Sequence, residues 1–117
     1  MNDLSIVLST YNEANNIEQT LIGLVKKTSV KEIIIVDDNS TDDTVDIINN
    51  LKNDKIKLFV RKTTRGFASA YIYGIMISNG NYILRFDIDM YSDIDFFLDT
   101  FEKNIDRDCV IFSRYVD

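Results

Sequence analysis

The sequence predicts an α/β fold in which a mainly parallel sheet carries helices on both faces, and three observations lead there. Short β-branched and apolar runs alternate strictly with segments whose apolar residues recur at helical spacing. The connections between them are short, as right-handed crossovers between parallel strands require. The polar clusters at 9–13, 37–40, 87–91 and 113–114 each follow a strand-like run. All four therefore belong to one edge of the sheet, where open α/β folds bind ligands.

Residues 4–8 form the first apolar run, which gives way to Ser9, Thr10, Tyr11, Asn12 and Glu13. Ile17, Leu21, Leu24 and Val25 then predict a helix over about 13–27. Residues 32–36, with three consecutive isoleucines, predict a second strand that ends in Asp37, Asp38, Asn39 and Ser40. Thr41 or Asp42 is the candidate cap of a helix through Val45, Ile48 and Leu51. A third strand spans 56–60, and Arg65 and Gly66 lead into a helix carrying Ala70, Ile72 or Tyr73, and Met76 or Ile77, with Gly80 marking its end. The chain is organised around the next stretch, residues 81–91, NYILRFDIDMY. Tyr82, Ile83, Leu84 and Phe86 fit a buried strand that finishes in Asp87 and Asp89, with only Ile88 between them. A fourth helix over 94–105 and a fifth strand over 108–113 complete the series.

A D-x-D at a strand end is well placed to hold a hard divalent cation. A solvated acidic turn is the alternative, since Asp favours turns and helix N-caps. Composition narrows the choice of chemistry. The 117 residues suffice for one domain with one core, and a net charge of -6 argues against a nucleic-acid binder. An anionic ligand would need a metal or placed Arg residues to overcome that field. The chain has no His, so the commonest general base and metal ligand are both missing. The single Cys109 sits in an apolar run and reads as a buried, inert thiol. No export signal or membrane-spanning run is visible, which predicts a cytoplasmic location.

Neither G-x-G-x-x-G nor G-x-x-x-x-G-K-[ST] occurs, so the two common backbone cradles for phosphate are absent. A phosphorelay receiver domain shares the strand–helix alternation and an acidic pair. It would also need a lone Asp after the third strand and a Lys after the fifth, where this chain has Arg61, Lys62 and Thr63, and Ser113 and Arg114.

Five blocks in order carry a resemblance: VLSTYNE at 7–13, IIVDDNSTDDT at 34–44, RGFASAYIYG at 65–74, GNYILRFDID at 80–89 and SRYV at 113–116. Together they resemble the family 2 glycosyltransferases, most of all the dolichyl-phosphate mannose synthase branch and its polyprenyl-phosphate relatives. The resemblance implies a three-layer GT-A, Rossmann-like fold for nucleotide-diphospho-sugar transfer. It implies that residues 1–117 are the donor-binding domain, incomplete at the C-terminus because such enzymes continue into acceptor-binding segments.

The same resemblance implies site residues. Thr10, Tyr11 and Glu13 would line the base and ribose pocket, with Asp38 recognising the base, Arg65 facing it and Asp37 bracing the turn. Asp87 would lie near ribose and sugar, Asp89 on Mg2+ or Mn2+ with Asp87 beside it, and Arg114 would steady the phosphates. Asp87, Asp89 and Arg114 would thus be the catalytic set. The implied reaction transfers a hexose from a GDP-mannose or UDP-glucose type donor to a polyprenyl phosphate or sugar acceptor with inversion. An ionised phosphate acceptor needs no strong base, which suits a chain without His. The implied setting is the cytoplasmic membrane face, reached through segments outside this chain. A binding module that holds the donor and performs no transfer is the alternative. Two departures stand out: Ser9 replaces the usual Pro, and Met90, Tyr91, Ser92 and Asp93 follow the D-x-D where the polyprenyl branch has an amide or hydroxyl residue, then His and Pro.

Overall fold

The computed structural model of the protein describes residues 3–63 and 66–104. Four strands, β1 (Leu4–Thr10), β2 (Val30–Asp37), β3 (Ile56–Val60) and β4 (Tyr82–Phe86), form one sheet in the order β3-β2-β1-β4. All three pairings are parallel. Helices α1 (Ile17–Val25), α2 (Thr44–Leu51), α3 (Phe67–Ile77) and α4 (Ile94–Lys103) connect or follow them, and a 3-10 helix (Ile88–Asp93) joins β4 to α4.

Alternation along β1 and β2 sorts the core into two layers. Leu4, Ile6, Leu8, Ile33 and Ile35 pack with Ile17, Leu21 and Leu24 of α1, Ile48 of α2, and Ile94, Phe97 and Leu98 of α4. Val7, Ile34 and Val36 point to the other face, against Ala70 and Tyr71 of α3. Burial on both faces explains why these strands read as continuous apolar runs.

Several boundaries differ from expectation for identifiable reasons. Helix α1 starts at Ile17 instead of 13, because the amides of Glu13 and Ala14 bond side chains of the neighbouring loop, Thr44 and Asp42. Helix α2 starts at Thr44, after the candidate caps Thr41 and Asp42, whose amides go to the Asn12 side chain. Strand β2 is longer than 32–36, since Val30 already pairs with Leu4. Helix α4 ends at Lys103. The expected fifth strand and Cys109 lie outside the described residues.

Two glycines are dictated by packing. A Cβ on Gly74 would run into the Cγ1 atom of Val7, so α3 reaches the sheet only without one. At Gly80 a Cβ would lie 2.5 Å from the Ser5 hydroxyl and 2.6 Å from the Asp3 carbonyl. Gly80 thus marks a close approach of chain to chain and not the helix end, since α3 stops at Ile77 with Ser78 as its C-cap.

Beneath that approach lies a buried carboxylate, Glu32, only 1% exposed. It accepts from the Ser5 hydroxyl at 2.5 Å, the Asn79 amide at 2.5 Å and Lys57 Nζ at 2.7 Å. Burial alone would push its pKa up, but these donors outweigh burial and bring it from 4.5 down to about 2. A depressed carboxylate stabilises the fold above its unfolded pKa, and the contribution disappears as the pH falls through the folded value. Stability is therefore expected to drop between about pH 4.5 and pH 2, by on the order of 3 kcal/mol. Denaturant titrations in that window should show this loss, and Glu32→Gln should flatten it. Gly74→Ala is expected to destabilise by about 1–3 kcal/mol through overpacking, read as a lower denaturation midpoint at neutral pH.

Candidate functional site

The chain lays down β1, β2 and β3 outward in one direction and returns to place β4 on the other flank of β1. The order of strands reverses between β1 and β4, and a crevice opens at the carboxyl ends of such a pair. Register puts Thr10 beside Asp37 and Leu8 beside Phe86. The turns beginning at Tyr11, Asp38 and Asp87 consequently leave the sheet at the same edge. This is the convergence that the polar clusters predict, for the three clusters that fall on described residues.

Asp37 holds two of these turns. Its carboxylate, fully buried, accepts from the Thr10 hydroxyl at 2.6 Å, the Ser40 hydroxyl at 2.6 Å and the Ser40 amide at 2.8 Å. Asp37 thus braces the turn as expected. Thr10 is 1% exposed and its hydroxyl is committed to Asp37, so its side chain fixes the end of β1 to that of β2. Asn12 and Asn39, at φ 53° and 59°, make the left-handed bends of the two turns. Asn12 Oδ1 accepts the Thr41 amide at 2.8 Å, and the Asn12 amide donates to the Ser40 hydroxyl at 2.9 Å.

Tyr11, just past the end of β1, stands 46% exposed. Glu13 is half-buried beside it. Burial first, and then the charges of Asp42 and Asp89, push the Glu13 carboxyl above its ordinary range. That influence connects the β1 turn electrostatically with the D-x-D. Thr44 donates to Asp42 and holds that carboxyl low, so it keeps its charge next to Glu13.

Asp38 is buried and already paired. Arg61 approaches its Oδ1 through Nε at 2.8 Å and Nη2 at 2.7 Å, while the Gly66 amide donates to Oδ2 at 3.2 Å. The same guanidinium donates to the Ser69 hydroxyl and the Gly66 carbonyl, tying β2, β3 and the start of α3 together. Arg61 was not among the sequence candidates, although its place at the end of β3, beside two strand-end carboxylates, is the signal that marks it. Arg65 and Arg114 lie outside the described residues.

Asp87 is half-buried and Asp89 exposed. Asp87 keeps an extended backbone, φ -106° and ψ 145°, and its amide points to Met90 Sδ at 3.4 Å. The Tyr71 hydroxyl of α3 has two acceptors within reach of its one proton, the Phe86 carbonyl at 2.8 Å and Asp87 Oδ1 at 2.5 Å. Burial, followed by the Asp87 interaction, raises the Tyr71 phenol well above its usual range. Asp89 rides on the 3-10 helix, which is docked on α1: Tyr91 covers Gly23 so closely that a Cβ there would overlap its hydroxyl. Tyr91 thus serves packing.

Comparison with known proteins decides what this edge belongs to. A sequence profile described as Glycosyl transferase family 2 matches residues 5–117. The chain belongs to glycosyl transferase family 2. Among its relatives, the chain is 38% identical over 89 residues to UDP-Glc:alpha-D-GlcNAc-diphosphoundecaprenol beta-1,3-glucosyltransferase WfaP of Escherichia coli, covering 75% of this chain and 36% of that one. It is 36% identical over 94 residues to the poly-beta-1,6-N-acetyl-D-glucosamine synthase of Staphylococcus aureus, covering 79% and 23%. The fold is similar to that of the mannosyltransferase PcManGT from Pyrobaculum calidifontis, solved with GDP-Man and Mn2+, with a TM-score of 0.67 and 25% identity over 76% of this chain and 28% of that one. The family 2 chain therefore has the GT-A fold expected of it. It spans about a third or less of the length of these relatives.

The Asp38–Arg61 pair allows a test of the site's architecture. Arg61→Met should leave a buried carboxylate short of its donors and cost on the order of 2–3 kcal/mol, whereas Lys62→Met, at an exposed position one residue on, should change the urea midpoint little.

Proposed function

We propose that this family 2 chain is the donor-binding half of a hexosyltransferase that takes a nucleotide diphosphate sugar. The observation that carries the reading is geometric: β1 and β4 pair in parallel at the strand-order reversal, with Leu8 beside Phe86, so the Tyr11–Glu13 turn and the Asp87–Asp89 pair leave the sheet at one edge. Tyr11 would stack on the base and Glu13 accept from ribose hydroxyls. Asp38, held by Arg61, would present the base-reading edge together with Arg65. Asp87 would orient ribose and sugar.

A divalent cation fits the donor set at the D-x-D. Mg2+ and Mn2+ prefer oxygen ligands, and sites for Mg2+ commonly use one or two carboxylates and leave the other positions to phosphates and water. Asp89 and Asp87 would supply those carboxylates; among the described residues they stand in no group of three or more His, Cys, Asp or Glu, so phosphate and water would have to complete the shell. Such an ion would supply charge neutralisation for the diphosphate. Support comes from PcManGT, which was solved with GDP-Man and Mn2+.

The chain's residues then act by position. The turns hold the donor with its anomeric carbon toward the acceptor, the acceptor oxygen attacks in line, and configuration inverts. Arg114 would stabilise the charge that develops on the departing diphosphate. No general base is required if the acceptor is a polyprenyl phosphate, and a sugar hydroxyl acceptor would need one from outside the residues named here. We place the chain in the cytoplasm, at the membrane face where lipid-linked acceptors reside. Among the described residues no helix is long and apolar enough to cross a membrane.

Thermal unfolding with GDP and UDP, each with and without Mn2+, tests the reading. At a ligand concentration about 100 times the Kd, binding should add about 2.7 kcal/mol of stability, and the shift should require the metal. Asp89→Asn should abolish that metal-dependent shift while leaving the unliganded midpoint within about 0.5 kcal/mol, as for an exposed carboxylate. A wild-type chain that no nucleotide stabilises in either condition would refute the donor-binding role.

A further inference from the structure

We propose that Tyr71 is a positioning residue that fixes the carboxylate of Asp87 for the donor. The inference rests on the reading above, in which Asp87 contacts ribose and sugar. Tyr71 comes from α3, on the opposite face of the sheet from α1 and α2, and its ring is 4% exposed against Val7, Ile34, Val36 and Ala70. The Arg85 guanidinium carbon lies 4.4 Å from the ring centroid, a cation–π distance. The ring is therefore held by packing and by a stacked cation before its hydroxyl does anything.

That hydroxyl has one proton and two acceptors in reach, the Phe86 carbonyl at 2.8 Å and Asp87 Oδ1 at 2.5 Å. Anchoring α3 to the sheet would need only the carbonyl of β4. The shorter contact goes instead to the side chain that follows the strand, at the point where β4 ceases to be constrained by pairing with β1. A short Asp side chain has two torsions, and a bond to one carboxylate oxygen from a group on a packed helix restricts both. Tyr71 thus transmits the rigidity of the core to a carboxylate at the rim, as outer groups do for ligating residues elsewhere.

Calorimetric titration of GDP and UDP with Mn2+ against the unsubstituted chain, Tyr71→Phe, Asp87→Asn and the double variant tests this. Tyr71→Phe keeps the ring and is expected to weaken binding about tenfold, and to have no further effect once Asp87→Asn is present. An equal effect in both backgrounds means that Tyr71 acts through general structure, and overturns the assignment. Should Asp87→Asn bind too weakly to titrate, the carboxyl carbon resonance of Asp87 decides. It should shift in Tyr71→Phe, and an unmoved resonance overturns the proposal. Nucleotide binding that is the same in Tyr71→Phe and the unsubstituted chain refutes the role of Tyr71 alone, whereas no binding by the unsubstituted chain refutes the donor reading beneath it.

Discussion

A carboxylate taken out of water is costly unless its oxygens find donors, and Asp37, with none of its surface exposed, finds them in the two turns that frame the site. The Thr10 hydroxyl comes from the end of β1, and the Ser40 hydroxyl and amide come from the loop after β2. The charge is satisfied only while those turns hold their present geometry. Asp37 is unavailable to a ligand for the same reason that it is useful: it converts the burial of one charge into the shape of two loops.

Around that anchor the rim is built from groups already half-committed. Asp38 is engaged by Arg61 and Gly66, and Asp87 by Tyr71. Glu13 sits in a field set by Asp42 and Asp89. Interactions of this kind limit the rotamers of these carboxylates in the chain as it stands.

Much of this was legible in the sequence, and the parts that were not share a cause. Parallel order, helices on both faces and the D-x-D at the end of β4 follow from local pattern, because each strand is a buried run closed by polar residues. Tyr71 was missed because α3 is apolar nearly all round. With Ile72, Tyr73, Ile75 and Met76 exposed and Ala70, Tyr71 and Gly74 buried, nothing in the composition marks the inner face. The brace that Thr10 supplies was not legible either, because its partner, Asp37, lies 27 positions away. Arg61 escaped notice likewise, its role depending on Asp38 across the β2–β3 pair.

The clasp between the first two turns carries an evolutionary consequence. Asn12 both bends its own loop at φ 53° and reaches into the other, accepting from Thr41 and Asp42 while its amide meets Ser40. Neither loop is therefore a free module. A lineage that alters one of them must change the other in step, so these positions are expected to drift as a correlated set, and a graft of either loop alone into a cousin should inherit its residues without its shape.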